Sequence, residues 1–94
     1  MNKHLLHSEI LFFEGESNYT RIHFNDGSKV LVSYTLKKVM EALPASSRFL
    51  RIHRTYVVNT LFVSDRIENP EGHYFILVNG LTLPISRRRR NVEF

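Results

Sequence analysis

Phe49-Leu50-Arg51-Ile52-His53-Arg54-Thr55-Tyr56-Val57-Val58-Asn59 holds two strand patterns in one short stretch. Its first residues alternate, with Phe49 and Arg51 on one side and Leu50 and Ile52 on the other. A period of two is the signature of a strand with two different faces. Tyr56-Val57-Val58 is rich in β-branched and aromatic side chains, and Leu61-Phe62-Val63 is also β-rich; the two runs meet at Asn59. Asn59 reads as structural, because its amide can satisfy backbone groups at a sharp strand junction.

Upstream, Ile10 to Phe13 is a compact apolar run, read as a buried strand. Tyr19 to Phe24 alternates: Thr20, Ile22 and Phe24 face one side, and Tyr19, Arg21 and His23 the other. Asn25-Asp26-Gly27-Ser28 is hairpin chemistry, because Asn, Asp and Gly tolerate positive φ, and Lys29 to Ser33 returns as the partner strand. The period then changes. Leu36, Val39, Met40 and Leu43 fall on one face of a short helix, with Thr35 as N-cap and Pro44 just past the end. These four residues are core positions, not a cofactor box.

Downstream, Asn69-Pro70-Glu71-Gly72 reads as a turn and His73 to Val78 as a strand. Asn79-Gly80 reads as a two-residue hairpin turn leading to the returning strand Leu81 to Ile85. Pro84 cannot donate to a ladder, which places that strand at an edge. Ser86 can cap a final short turn or helix that carries the arginines. The pattern is mostly β with one amphipathic helix. No βαβ alternation occurs, so a Rossmann or P-loop sheet is excluded. Gly15, Gly27, Gly72 and Gly80 never fall at the spacing of a phosphate-cradling loop.

The chain has 94 residues, 43% hydrophobic and 12% aromatic, too aromatic for a disordered segment. That is one domain's worth, expected to span 1–94 with a core of about 9–90. There is no cysteine, hence neither a disulfide framework nor a thiolate metal site. No apolar run approaches the ~18–20 residues of a membrane span, and Met1-Asn2-Lys3-His4 lacks a signal-peptide core. The expected compartment is the cytoplasm. Asn18-Tyr19-Thr20 fits the N-glycosylation pattern, but without an export signal the match is chance.

Formal net charge is +4, and it is uneven. Up to Ser47 the lysines and Arg21 balance the acids. After Ser47 eight arginines face Asp65, Glu68, Glu71 and Glu93, so the whole excess is arginine, four of it consecutive from Arg87 to Arg90. The planar guanidinium fork suits phosphate oxygens and guanine edges. A pI near 9.8 with clustered arginine is an electrostatic footprint of nucleic-acid binding. A solvated basic tail is the bland alternative.

Ile10-Leu11-Phe12-Phe13-Glu14, Asn18-Tyr19-Thr20, Thr35-Leu36, the 49–59 stretch with its terminal Val58-Asn59, Asn79-Gly80 and Leu83-Pro84-Ile85-Ser86-Arg87-Arg88 follow one another in order. In this the chain resembles the LytTR DNA-binding domain, an output module of bacterial two-component response regulators, from about Ile10 to Arg90. The resemblance implies an elongated stack of small antiparallel β-sheets with one short helix. It implies a transcription regulator that reads double-stranded DNA through loops at successive major grooves. Such domains occupy promoter direct repeats in tandem, as a second copy on the same DNA, and usually follow a phosphorylation receiver domain, which is not evident in this chain.

The resemblance also nominates residues. Thr20 aligns with a base reader and stands where some members carry histidine, and Asn18, Tyr19 and Arg21 flank it, Arg21 as a backbone contact. Arg54 and Arg88 align with the other two base readers. At Arg54 a long cation replaces a shorter amide found in relatives, favouring guanine or phosphate over adenine. Arg87, Arg89 and Arg90 cannot all face one groove, so one or two of them are expected on phosphates and the rest solvated or paired with Glu93; Thr55 is a candidate phosphate donor. The structural alternatives are that Tyr19 and Thr20 are sheet residues and that Arg54 caps a turn or pairs with Glu68.

No cofactor and no metal is expected. His4 and His7 have no third ligand placed by sequence, and His23, His53 and His73 lie on separate strands, whereas zinc needs three or four converging ligands. No nucleophile motif is present, so the chain is not read as an enzyme. Two rivals remain. One is a small β-barrel RNA or single-strand binder, which needs aromatics such as Tyr19, Tyr34 and Tyr74 on one face. The other is a protein-interaction module that adds a partner strand to a sheet edge.

Overall fold

The continuous apolar run at residues 10–13 is explained by a sheet covered on both faces. In a computed structural model, which describes residues 7–91, strand β1 (Ile10–Glu16) is the centre of a five-stranded antiparallel sheet. Strands β2 (Tyr19–Phe24), β3 (Lys29–Val32), β4 (Phe49–His53) and β5 (Tyr56–Asn59) complete it in the order β3-β2-β1-β5-β4. A second sheet contains β6 (Val63–Asn69), β7 (Gly72–Leu77) and β8 (Thr82–Ile85) in sequence order. Helix α1 (Leu36–Ala42) covers the other face of the large sheet. The principal extents are 43 × 24 × 24 Å.

Two cores result. One lies between the large sheet and α1 and holds Ile10, Phe13, Ile22, Phe24, Leu36 and Val57. The other lies between the sheets and joins Leu11, Phe12, Ile52 and Val58 to Val63, Phe75, Leu77, Leu83 and Ile85. Strict alternation would separate Leu11 from Phe12. An irregularity in the β1–β2 register between Ile10 and Phe12 turns both towards the second sheet.

The local chemistry follows the sequence closely. Thr35 caps α1, its hydroxyl accepting from the Lys38 N–H at 3.2 Å. Asn59 is buried; its Nδ2 donates to the Ile10 carbonyl at 2.8 Å and its Oδ1 accepts from the Leu61 N–H at 3.0 Å. It ties the start of β1 to the end of β5, as a junction residue should. Pro84 sits in β8, an edge strand of the small sheet.

Two expectations are corrected. Leu61-Phe62 is not strand: capped by Asn59, Thr60–Phe62 makes a 3-10 turn before β6. The β7–β8 connection is not the two-residue turn Asn79-Gly80. Leu77 N–H donates to Leu81 O at 2.8 Å and Gly80 N–H to Leu77 O at 2.9 Å, which leaves a three-residue loop with Gly80 at φ 92. The Asn79 side chain accepts from Leu81 N–H at 3.1 Å, which favours the longer loop. The β2–β3 turn repeats this design with Gly27 at φ 90.

Candidate nucleic-acid interface

Strand pairing decides which loops share an end of the molecule. β1 and β5 are antiparallel with Glu14 opposite Tyr56, and just beyond them the Gly15 N–H donates to Thr55 O at 2.8 Å. The β1–β2 tip at residues 17–18 and the β4–β5 tip at residues 54–55 therefore lie at the same end of the large sheet. The arginine run arrives there as well. After β8 the Ser86 N–H donates to the Ile52 carbonyl at 2.8 Å, and Arg87–Arg89 forms a 3-10 turn beside β4. Ser86 thus holds the turn through its backbone and makes no side-chain cap.

Arg54 is exposed, and its side chain has no hydrogen-bond or ion-pair partner among the described residues. The structural alternative for it lapses, because Glu68 pairs with Arg66 at 3.0 Å. Arg87 and Arg88 are exposed and Arg89 is half-buried. Asn18 and Tyr19 are exposed at the neighbouring tip.

Thr20 is a correction. It is fully buried, and its hydroxyl donates to the Tyr34 carbonyl at 2.7 Å. The inward face of β2, shared with Ile22 and Phe24, continues to its tip. Thr20 thus ties β2 to the segment entering α1 and presents nothing to a ligand. Arg21 is on the outer face but already engaged: Nε donates to Glu16 at 2.6 Å and Nη2 at 3.0 Å. That fork holds the Glu16 carboxyl below the usual carboxylate range and the Arg21 guanidinium above its own. A phosphate contact by Arg21 requires Glu16 to let go. Glu14, the other acid near this end, hydrogen-bonds His23 at 2.9 Å, and His23 stacks on Phe12 at 4.0 Å.

Two residues missed in the sequence organise the site. Arg51 donates from Nε to His53 O at 2.9 Å and from Nη2 to Arg54 O at 2.6 Å, fixing the β4–β5 tip through its carbonyls. Burial, and then the charge of Arg89, push its guanidinium below the ordinary arginine value. Arg66, in the small sheet, lies over the Phe75 ring at 5.8 Å and donates to the Arg90 carbonyl, holding the far end of the arginine turn. Alternation places Arg51 on the side of Phe49, but nothing in the sequence signals which carbonyls it takes.

Thr55 is turned towards His53. Its N–H donates to Nδ1 at 3.2 Å and its hydroxyl lies 3.0 Å from the same nitrogen, so Nδ1 is the unprotonated acceptor and the hydroxyl donates to it as well. Burial first, then the charges of Arg54 and Arg51, keep His53 below the usual histidine value. In the unfolded chain the ring takes its proton near pH ~6.5. The unfolded state then binds more protons than the folded one. The stabilising contribution of the neutral ring is complete above that pH and is lost as pH falls from there through the folded value. Urea midpoints measured between pH 7.5 and 5.5 should decline in the wild type, and His53→Gln should decline less. Identical slopes would contradict the assignment.

The arrangement is a β-sheet scaffold that carries cationic loops at one end. The LytTr DNA-binding domain model matches residues 3–92, and the chain belongs to that family. A solved structure of similar fold is the LytTr DNA-binding domain of a protein described as a methyl-accepting/DNA response regulator from Bacillus cereus. It superposes with a TM-score of 0.79 at 21% identity, over 89% of this chain and 76% of that one. No helix of the described residues is long and apolar enough to cross a membrane.

Proposed function

We propose that this DNA-binding domain is a sequence-specific regulator of transcription. In this reading Arg54 and Arg88 approach base edges, Arg87 and Arg89 neutralise phosphates, and Asn18 and Tyr19 meet the duplex from the adjoining tip. Thr55 joins them once its hydroxyl turns from His53. The observation that carries the reading is the Ser86–Ile52 hydrogen bond. It brings the arginine turn alongside the β4–β5 tip, at an end whose acids Glu14 and Glu16 are already engaged. No step in this function is catalytic, and it needs no cofactor.

The same bond sets the reach of the two arginines. Each is two residues from it, so chain length holds their Cα atoms within about 20 Å of one another. Equivalent groove positions one turn apart are ~34 Å away, so in this reading Arg54 and Arg88 address base positions within about one turn of a single duplex. Occupancy of direct repeats by successive copies, downstream of a receiver domain, belongs to this proposal.

The test is a salt titration of duplex binding. With ~5 phosphates neutralised, log K should fall linearly with log salt with a slope of about −4 to −5. A slope near zero would overturn the mode. Competition by single-stranded DNA separates the rival: exposed Tyr19 and Tyr34 lie on the large sheet and its exit, whereas Tyr74 is on the small one, so they make no common stacking platform.

A further inference from the structure

Between the β1–β2 tip, the β4–β5 tip and α1 the surface dips into an open hollow of about 330 Å³. Its polar lining comes from Ser17, Thr35, Lys37, Arg51, Arg54 and Thr55, and no carboxylate is among the lining residues. We propose that this hollow is a phosphate site which seats one backbone phosphodiester of the bound duplex, with Lys37 and Arg51 as its cationic walls and Arg54 at its rim, reaching past it to a base edge. The inference rests on the duplex-binding reading above and extends it to α1, an element not otherwise assigned to the interface.

Three features support it. First, the cations come from separate segments: Lys37 from α1, Arg51 from β4 and Arg54 from the tip. Like charges that converge without an internal acid repel one another, and an anion in their midst reverses the sign of that term. The two nearby carboxylates do not serve, because Glu16 is held by Arg21 at 2.6 Å and Glu14 by His23 at 2.9 Å.

Second, hydroxyl protons are available. Thr35 Oγ1 accepts from the Lys38 N–H and keeps its own hydrogen for an oxyanion. Ser17 stands at the rim with φ 57, a left-handed conformation that costs a non-glycine residue energy and is concentrated at functional positions. Third, the hollow is shallow and open, at the lower end of the ~300–1,000 Å³ that enclosed small-molecule pockets occupy. That shape suits a group presented by a passing chain more than an engulfed ligand. Because a phosphate contact carries no base information, the site adds affinity and fixes register without choosing a sequence.

The test uses Lys37→Gln, a change at an exposed helix position, with melting temperature as the control for folding. Binding to a preferred duplex and to a random duplex should weaken by the same factor, roughly 3- to 10-fold, and the salt slope should shrink by about 1. Duplexes carrying a single neutral methylphosphonate, scanned along each strand, should reveal one position whose loss is felt by the wild type and not by Lys37→Gln. If the wild type shows its steep salt slope while Lys37→Gln matches it in affinity and slope, the hollow is not a phosphate site and the duplex-binding reading stands. If the wild type shows no salt-dependent binding, both fall. Inorganic phosphate alone, added to the DNA-free domain and followed by amide chemical shifts, should perturb Lys37 and Thr35 only at millimolar concentration. Saturation at micromolar phosphate would identify a free anion as the ligand and overturn the backbone assignment.

Discussion

Replacing both Arg54 and Arg88 with alanine should weaken binding to the preferred duplex by about 2–6 kcal/mol, since each base-edge arginine contributes ~1–3. That is a loss of roughly 30- to 2 × 10⁴-fold, with almost no change in melting temperature. The fold tolerates both changes, because Arg54 and Arg88 are exposed and the tip is held by Arg51, not by Arg54's own side chain. Each single change should flatten discrimination at its own base position. If the two arginines read separate base positions without sharing a partner, their effects should add to within ~0.5 kcal/mol. A double-mutant cycle on one duplex at one salt concentration measures this. A coupling well above ~1 kcal/mol would mean a shared contact or a shared DNA deformation, against independent base positions. Equal weakening on preferred and random DNA would remove both arginines from base reading.

Phe75→Ala should cost the fold about 3–5 kcal/mol, the range for emptying a buried aromatic site. Phe75 is fully buried in the core between the sheets, with the Arg66 guanidinium near its ring. A domain of this length has ~5–14 kcal/mol to lose, so the melting temperature should drop by more than about 12 °C. Urea unfolding followed by circular dichroism gives the number, and a loss below ~1 kcal/mol would contradict the inter-sheet packing. The variant should also slacken the arginine turn, because Arg66 holds the Arg90 carbonyl from its place over that ring.

Periodicity made most of the architecture legible. Thr20, Ile22 and Phe24 do face inward, α1 begins after Thr35, and Pro84 does lie on an edge. The misses have physical causes. A β-bulge moves Leu11 and Phe12 to one face, and no local pattern announces which partner sheet will cover them. For Thr20 alternation points inward and the resemblance outward, and β-strand periodicity prevails as far as the second residue of β2. At the candidate site, exposed arginines on loops were visible as charge. Arg51 was not, because its task is to take backbone carbonyls, and a carbonyl has no signature in a sequence. The hollow beside α1 joins residues from three segments and exists only once they are folded together.

The arginine turn is moored at both ends, to the large sheet by Ser86 and Ile52 and to the small sheet by Arg66 and Arg90. Its position relative to the β4–β5 tip is therefore a dimension of the packed interior, like the gap of a fixed caliper. Close-packed cores resist small continuous shear. Smoothly curving a short stretch of duplex costs only ~1–6 kcal/mol. In the proposed complex the protein is the stiffer body, so any mismatch between its jaw width and straight DNA is relieved by curvature of the duplex.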